Sequence, residues 1–159
     1  MGLDMYLNVK ESFSDYNYVT KQKNKQYSDI VEAAGIKTKE IAPVVSVEYT
    51  AIYWRKANQI HNWFVNTLAN GVDQCQRIPV SRTRLVELHS ICGQLLDTRS
   101  TELAFELLPP ASGFFFGSTT IDEWYWQDLE HTHKELTELL EEIHEGNYWN
   151  YDIEYQASW

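Results

Sequence analysis

The chain has 159 residues, 43% hydrophobic and 23% charged, the size and balance of one soluble domain that buries roughly 70% of its unfolded surface. Its formal charge is −10. Residues 57–159 hold sixteen acids against five Lys/Arg, which excludes general nucleic-acid binding, an affinity built on phosphate contacts.

Residues 2–9 alternate, with Leu3, Met5, Leu7 and Val9 on one face and Asp4, Tyr6 and Asn8 on the other, the pattern of a half-buried strand. Residues 10–43 are polar and dotted with Lys21, Lys23 and Lys25. They read as a long excursion with a short helix near Ser28–Ala34 that Gly35 ends. Beyond Pro43, the alternation of Val45, Val47, Tyr49 and Ala51 with Ser46, Glu48 and Thr50 predicts a second strand. The period then changes: Ala57, Ile60, His61, Phe64 and Leu68 fall at helical spacing. This predicts a helix of about Tyr53–Ala69 ended by Asn70-Gly71.

Ser81 is a candidate N-cap for a helix reaching Thr98, with Leu85, Leu88, Cys92 and Leu95 as its stripe. After Pro109-Pro110 and Gly113, Phe114–Phe116 reads as a short strand or ordered loop. Thr120 and Glu123 have the spacing of a capping box. The helix they open runs to about Glu145, with Ile121, Trp124, Leu129, Leu136, Leu139, Leu140 and Ile143 inward and Gly146 beyond its end. The tail alternates again from Trp149 to Ala157. The expected fold is α+β: one domain over residues 1–159, with the excursion at 10–43. In it a small, mostly antiparallel sheet of N-terminal, central and C-terminal strands packs on three main helices.

Aromatic residues make up 14% of the chain and concentrate in two polar blocks. The first is Tyr53-Trp54-Arg55-Lys56-Ala57-Asn58-Gln59-Ile60-His61-Asn62-Trp63-Phe64-Val65. In a helix starting at Tyr53, Arg55 and Lys56 occupy the first turn, where basic residues oppose the dipole. Arg is suited to fork onto a phosphate or carboxylate, and Trp54 or Trp63 to stack on a ring. Pairing with the acidic third helix and plain core packing is the competing account. In the second block, Ser112 to Trp126, Gly113 and Gly117 bracket three Phe ahead of a helix start. A loop of that kind can cradle an anion, but Asp122 and Glu123 already satisfy the dipole, and the Gly-Lys-Ser/Thr ending of a P-loop is missing.

His131 and His133 are two apart and point to different sides of a helix, so they form no metal pair. His89, Cys92 and Cys75 lack a fourth ligand for zinc. Two cysteines make no disulfide framework. No apolar run reaches the roughly 18–20 residues of a membrane span, and no signal peptide is recognisable.

The opening Met1-Gly2-Leu3-Asp4-Met5, the Tyr53–Val65 block and Ser112–Leu129 resemble a family of small, functionally uncharacterised proteins of tailed bacteriophages and prophages. The resemblance covers about half the chain and leaves out residues 10–43. It implies the host cytoplasm and an accessory role that counters host defence.

The leading expectation is non-catalytic binding of a nucleotide-like or other aromatic small molecule, in its sharpest form sequestration of a host immune nucleotide signal. The candidate ligand-binding residues are Trp54, Arg55, Lys56, Asn58, His61, Trp63, Phe114, Phe116, Ser118 and Tyr125. No catalytic residue, metal ligand or cofactor is assigned. One alternative is an acidic inhibitor or DNA mimic acting on a host protein through the nine acids between Asp122 and Glu145. A second is a small hydrolase pairing His61 with Asp122 or Glu123. The aromatic terminal strand also suggests an exposed edge that pairs with another subunit, making a homo-oligomer.

Overall fold

Strand β1, Asp4–Ser14, is the spine of the fold. The structure is a computed structural model, and it describes residues 2–17, 21–37, 44–113 and 116–159. β1 pairs antiparallel with β4, Val44–Arg55, on one side and with β6, Tyr151–Ser158, on the other. A two-residue strand β5, Ile78–Pro79, adds to the far side of β6, giving the order β4-β1-β6-β5. The architecture is α+β. Leu3, Met5, Leu7 and Val9 are fully buried on the helix-facing side of β1, each contributing roughly 1.5–3 kcal/mol of burial. The other face carries polar cross-strand pairs such as Thr50–Asn8 and Ser12–Ser46.

The predicted excursion is more structured than its composition suggests. β1 runs on through Ser14, a short hairpin follows with strands β2 (Tyr16–Asn17) and β3 (Gln22–Lys23), and helix α1 spans Lys25–Ala34. The Asn24 side chain caps α1, and Gly35 ends it at φ 63°, a left-handed conformation that costs glycine little. Tyr27 of α1 closes a small second core with Phe13 and Val45.

The first-block helix begins five residues later than predicted. Tyr53, Trp54 and Arg55 continue β4 opposite Tyr6, Met5 and Asp4. Lys56 turns the chain at φ 62° and donates its backbone N–H to the Leu3 carbonyl at 2.8 Å. Helix α2 is then Asn58–Leu68. Trp54 satisfies both periods, inward by alternation after Ile52 and near-helical with Ala57, and sheet pairing decides between them. Arg55 and Lys56 therefore lie at a strand end and a turn, outside the helix's first turn.

Helix α3, Arg82–Thr98, starts at the predicted Ser81 cap and buries Leu85, Leu88, Cys92 and Leu95. Helix α4, Thr101–Leu107, is capped by Ser100 and has no counterpart in the sequence reading. Helix α5 is Glu123–Glu142, and its N-cap is Asp122, whose Oδ1 accepts from Trp124 N and Tyr125 N at 3.0 and 3.3 Å. Asp122 displaces Thr120 from the expected capping role. The buried stripe of α5 is Tyr125, Leu129, Thr132, Leu136 and Leu139, at spacings of four, three, four and three. Trp124 falls off that stripe and is 74% exposed, contrary to its predicted inward place. A 3-10 turn, Tyr148–Asn150, leads into β6 and leaves Trp149 exposed.

β6 lies between β1 and β5 in the sheet, and the ladder continues through the Val80 N–H to the Ile153 carbonyl at 2.9 Å. β5 thus covers the middle of β6 alone, and β4 is the opposite edge of the sheet. Part of that edge is covered, since His131 Nε2 on α5 meets the Tyr53 carbonyl at 3.0 Å. No helix among the described residues is long and apolar enough to cross a membrane.

Candidate functional site

The end of β4, the start of α2 and the first two turns of α5 meet around a cleft of about 480 Å³. Its lining takes in Arg55, Lys56, Asn58, Gln59, Gly117, Ser118, Asp122, Trp124, Tyr125 and Asp128. The size suits a small-molecule site, which runs to about 300–1,000 Å³.

Arg55 and Lys56 form the cationic wall. Among the described residues the ion pairs of lysine and arginine belong to Lys10, Lys25, Arg77, Arg84, Arg99 and Lys134, so Arg55 and Lys56 have no carboxylate partner there. Asp4, across the sheet from Arg55, is taken by the Tyr53 hydroxyl. The N-cap of α2 is Ala57, with no side-chain capping bond and no acid in the first turn, so the positive end of the helix dipole is not neutralised locally.

The opposite wall is the loop ahead of α5. Asn58 is 2% exposed and fixes it: Nδ2 donates to the Phe116 and Ser118 carbonyls at 3.1 and 2.8 Å, and Oδ1 accepts from Ala111 N at 3.0 Å. Gly117 adopts φ 92°, and a Cβ there would stand 3.4 Å from Lys56 Cβ, so glycine lets loop and turn approach. Ser118 Oγ accepts from Thr120 N at 3.1 Å. With Asp122 capping α5, the helix start offers an anion little, and the cations stand across the cleft from it.

Trp124 presents the exposed indole. Tyr125, 4% exposed, uses its hydroxyl to donate to the Leu108 carbonyl at 2.9 Å, and burial raises its pKa. At the inner end Gln59 Nε2 donates to Asp128 Oδ2 at 3.1 Å. Burial pushes the Asp128 carboxyl up to about 6, opposed by the Gln59 hydrogen bond and by His131, and assisted by Asp122.

Arg55, Lys56, Asn58, Ser118 and Tyr125 of the sequence-predicted set thus come together. Trp54 and Trp63 do not join them. Trp54 is 2% exposed and donates Nε1 to Thr132 Oγ1 at 2.8 Å, and Trp63 packs edge-on against Phe64. The indole at the cleft is Trp124 instead. His61 is also apart: Nδ1 lies 2.7 Å from the Tyr155 hydroxyl and Nε2 3.0 Å from Asp73 Oδ2. Its expected partners Asp122 and Glu123 are replaced by Asp73, and Phe116 packs edge-on over its ring at 5.1 Å. Phe114 lies outside the described residues.

Sequence reasoning missed Gln59 and Asp128. The four-residue step from Trp124 to Asp128 is a signal for one shared helix face. Nothing in the sequence marks Gln59, whose partner is 69 positions away.

A larger hollow of about 790 Å³ lies toward β5, lined by Lys10, Glu48, Arg77, Asp152 and Glu154. Its charges neutralise one another: Arg77 bridges Glu48 at 3.2 Å and Glu154 at 3.0 Å, and Lys10 stands 3.7 Å from Asp152. Cys92 is fully buried and its thiol pKa is pushed up to about 12 by burial, which makes it unreactive. Among the described residues no three His, Cys, Asp or Glu side chains group as a metal site. Comparison of the chain with protein-family models, with curated proteins and with solved structures finds no match.

Proposed function

We propose that the protein binds, without catalysis, a small ligand carrying an anionic group and a flat ring, of which a nucleotide is the type. The observation that carries this reading is two adjacent cations, Arg55 and Lys56, with no carboxylate partner among the described residues, lining the same cleft as the exposed indole of Trp124. Charge-assisted hydrogen bonds hold the anion, and stacking on an indole contributes about 1–3 kcal/mol. Both ring nitrogens of His61 are engaged under Phe116, which weighs against a hydrolase built on that base. In a phage-encoded chain such binding serves to sequester a host nucleotide signal in the host cytoplasm.

Isothermal titration with mono- and cyclic nucleotides tests the reading. The bound ligand is then released by heat and examined by chromatography. Recovery of intact nucleotide, with binding lost in Arg55→Glu/Lys56→Glu, is the expected result. No binding by any nucleotide, or recovery of degraded product alone, overturns it.

A further inference from the structure

Gln59 is 2% exposed and lines the cleft. One of its two amide N–H groups is spent on Asp128 Oδ2, and that bond fixes which end of the amide faces the carboxylate. Gln59 Oε1 and Asp128 Oδ1 have no hydrogen-bond partner among the described residues. The other polar groups around them are committed: the Asn58 amide to the loop and the Tyr125 hydroxyl to Leu108. The inner end of the cleft therefore offers two hydrogen-bond acceptors from one bonded pair, one of them on a carboxylate, beside the second N–H of the Gln59 amide. An acceptor that a ligand covers and leaves unmatched is costly, most of all on a carboxylate, so a ligand edge that supplies N–H groups there is favoured over one that sets carbonyls or ring nitrogens against the pair.

Asp128 is held firmly. Thr132 Oγ1 donates to its backbone carbonyl at 2.6 Å while accepting from buried Trp54 Nε1 at 2.8 Å. Trp124 is one helical turn before Asp128, a rise of about 5–6 Å on the same face. A ring stacked on the indole is within reach of the carboxylate with its edge.

From this geometry we infer that the cleft selects its ring by two adjacent N–H donors, the ring N–H and exocyclic amino group of a guanine. The inference rests on the reading of the cleft as a nucleotide-type site. Among the common bases only guanine has that edge. Adenine and cytosine set a ring-nitrogen acceptor beside the amino group, and uracil flanks its single N–H with two carbonyls. Arg55 and Lys56 take the phosphate, Trp124 the face of the ring, and Gln59 with Asp128 its donor edge.

The probes are GMP, IMP, 1-methyl-GMP, AMP and UMP, titrated into the wild-type chain and into Asp128→Asn at neutral pH. IMP lacks the amino group and 1-methyl-GMP lacks the ring N–H. GMP is expected to bind the wild type about tenfold or more tightly than each of the others, the scale of a lost hydrogen bond to a charged group. In Asp128→Asn that ratio falls to within about threefold, with helical circular dichroism unchanged. Equal binding of GMP, IMP and 1-methyl-GMP, or a guanine preference that survives in Asp128→Asn, overturns the donor-edge inference and leaves the cleft reading standing. Failure of every nucleotide to bind overturns both. The two analogues act on the wild-type chain, so the outcome is decided even where the variant does not fold.

Discussion

The hydroxyl of Tyr155, on β6, lies 2.7 Å from His61 Nδ1, on α2, in a fully buried contact. The pair ties helix to sheet, and Asp73 closes the far side of the ring at 3.0 Å. Burial holds the Tyr155 pKa well above its usual value, so the phenol stays protonated and remains a hydrogen-bond partner of the imidazole. Tyr155→Phe strands His61 Nδ1 without a partner. It is expected to cost about 1–3 kcal/mol in urea denaturation and to leave nucleotide affinity unchanged, since neither residue lines the cleft.

Trp124→Ala and Trp54→Phe separate recognition from folding. Trp124 is 74% exposed, so its removal changes stability by within about 0.5 kcal/mol and lowers ligand affinity about tenfold, the scale of one lost stacking contact. Trp54→Phe orphans Thr132 Oγ1 as an acceptor and costs about 1–3 kcal/mol by denaturation, with affinity retained. A Trp54 variant that binds weakly at full stability would reverse the assignment.

Asp128 controls a pH dependence of stability. Burial pushes its folded carboxyl up to about 6 from the ordinary 3.8, so the folded state holds the proton more tightly than the unfolded chain. The stabilisation from that proton is fully present below about pH 4 and is lost as pH rises through about 6. Asp128→Asn, which cannot ionise, should therefore be more stable than wild type by roughly 1–3 kcal/mol at pH 8, with the difference vanishing near pH 4. Gln59, Asp122, His131 and the cations Arg55 and Lys56 surround the same site, and their titration or charge moves the midpoint. Thermal denaturation of both proteins across that range reads the difference.

His89 and His133 stack across the contact of α3 with α5 at 4.1 Å between ring centroids. Burial, with His133 second, lowers the His89 pKa. A depressed imidazole opposes folding once it must take up a proton, so its contribution is present above about pH 6.5 and is lost as pH falls. His133→Gln should flatten the loss of melting temperature between about pH 7 and 5. An unchanged profile would mean that the stacked pair is not its source.

Asn58→Ala removes three hydrogen bonds that join α2 to residues 111, 116 and 118. Leaving those backbone groups unmatched is expected to cost about 2–4 kcal/mol. Amide exchange at Ala111 should accelerate before that of the α3 core.

The strands, Gly35 and the Ser81 cap were legible because each rests on local pattern: alternation, a left-handed stop, a capping hydroxyl. The start of α2 was not, because Trp54 fits two periods and the pairing of Arg55 with Asp4 across the sheet is a long-range fact. Trp124 was misplaced because apolar character stood in for direction; Tyr125, Leu129 and Thr132 trace the true inner face. Of the site, the charged and aromatic types near Arg55 and Tyr125 were visible. The Gln59–Asp128 pair joins two helices across 69 positions of sequence, and no local pattern encodes it.

Helix α5 divides its labour by face. Tyr125, Leu129, Leu136 and Leu139 build the core, while Trp124 and Asp128 look into the cleft. Tyr125 serves both, packed in the core and lining the cleft, whereas Trp124 is 74% exposed. A change at position 124 alters what is recognised without disturbing what is packed, so this scaffold is open to divergence in specificity there at nearly constant stability.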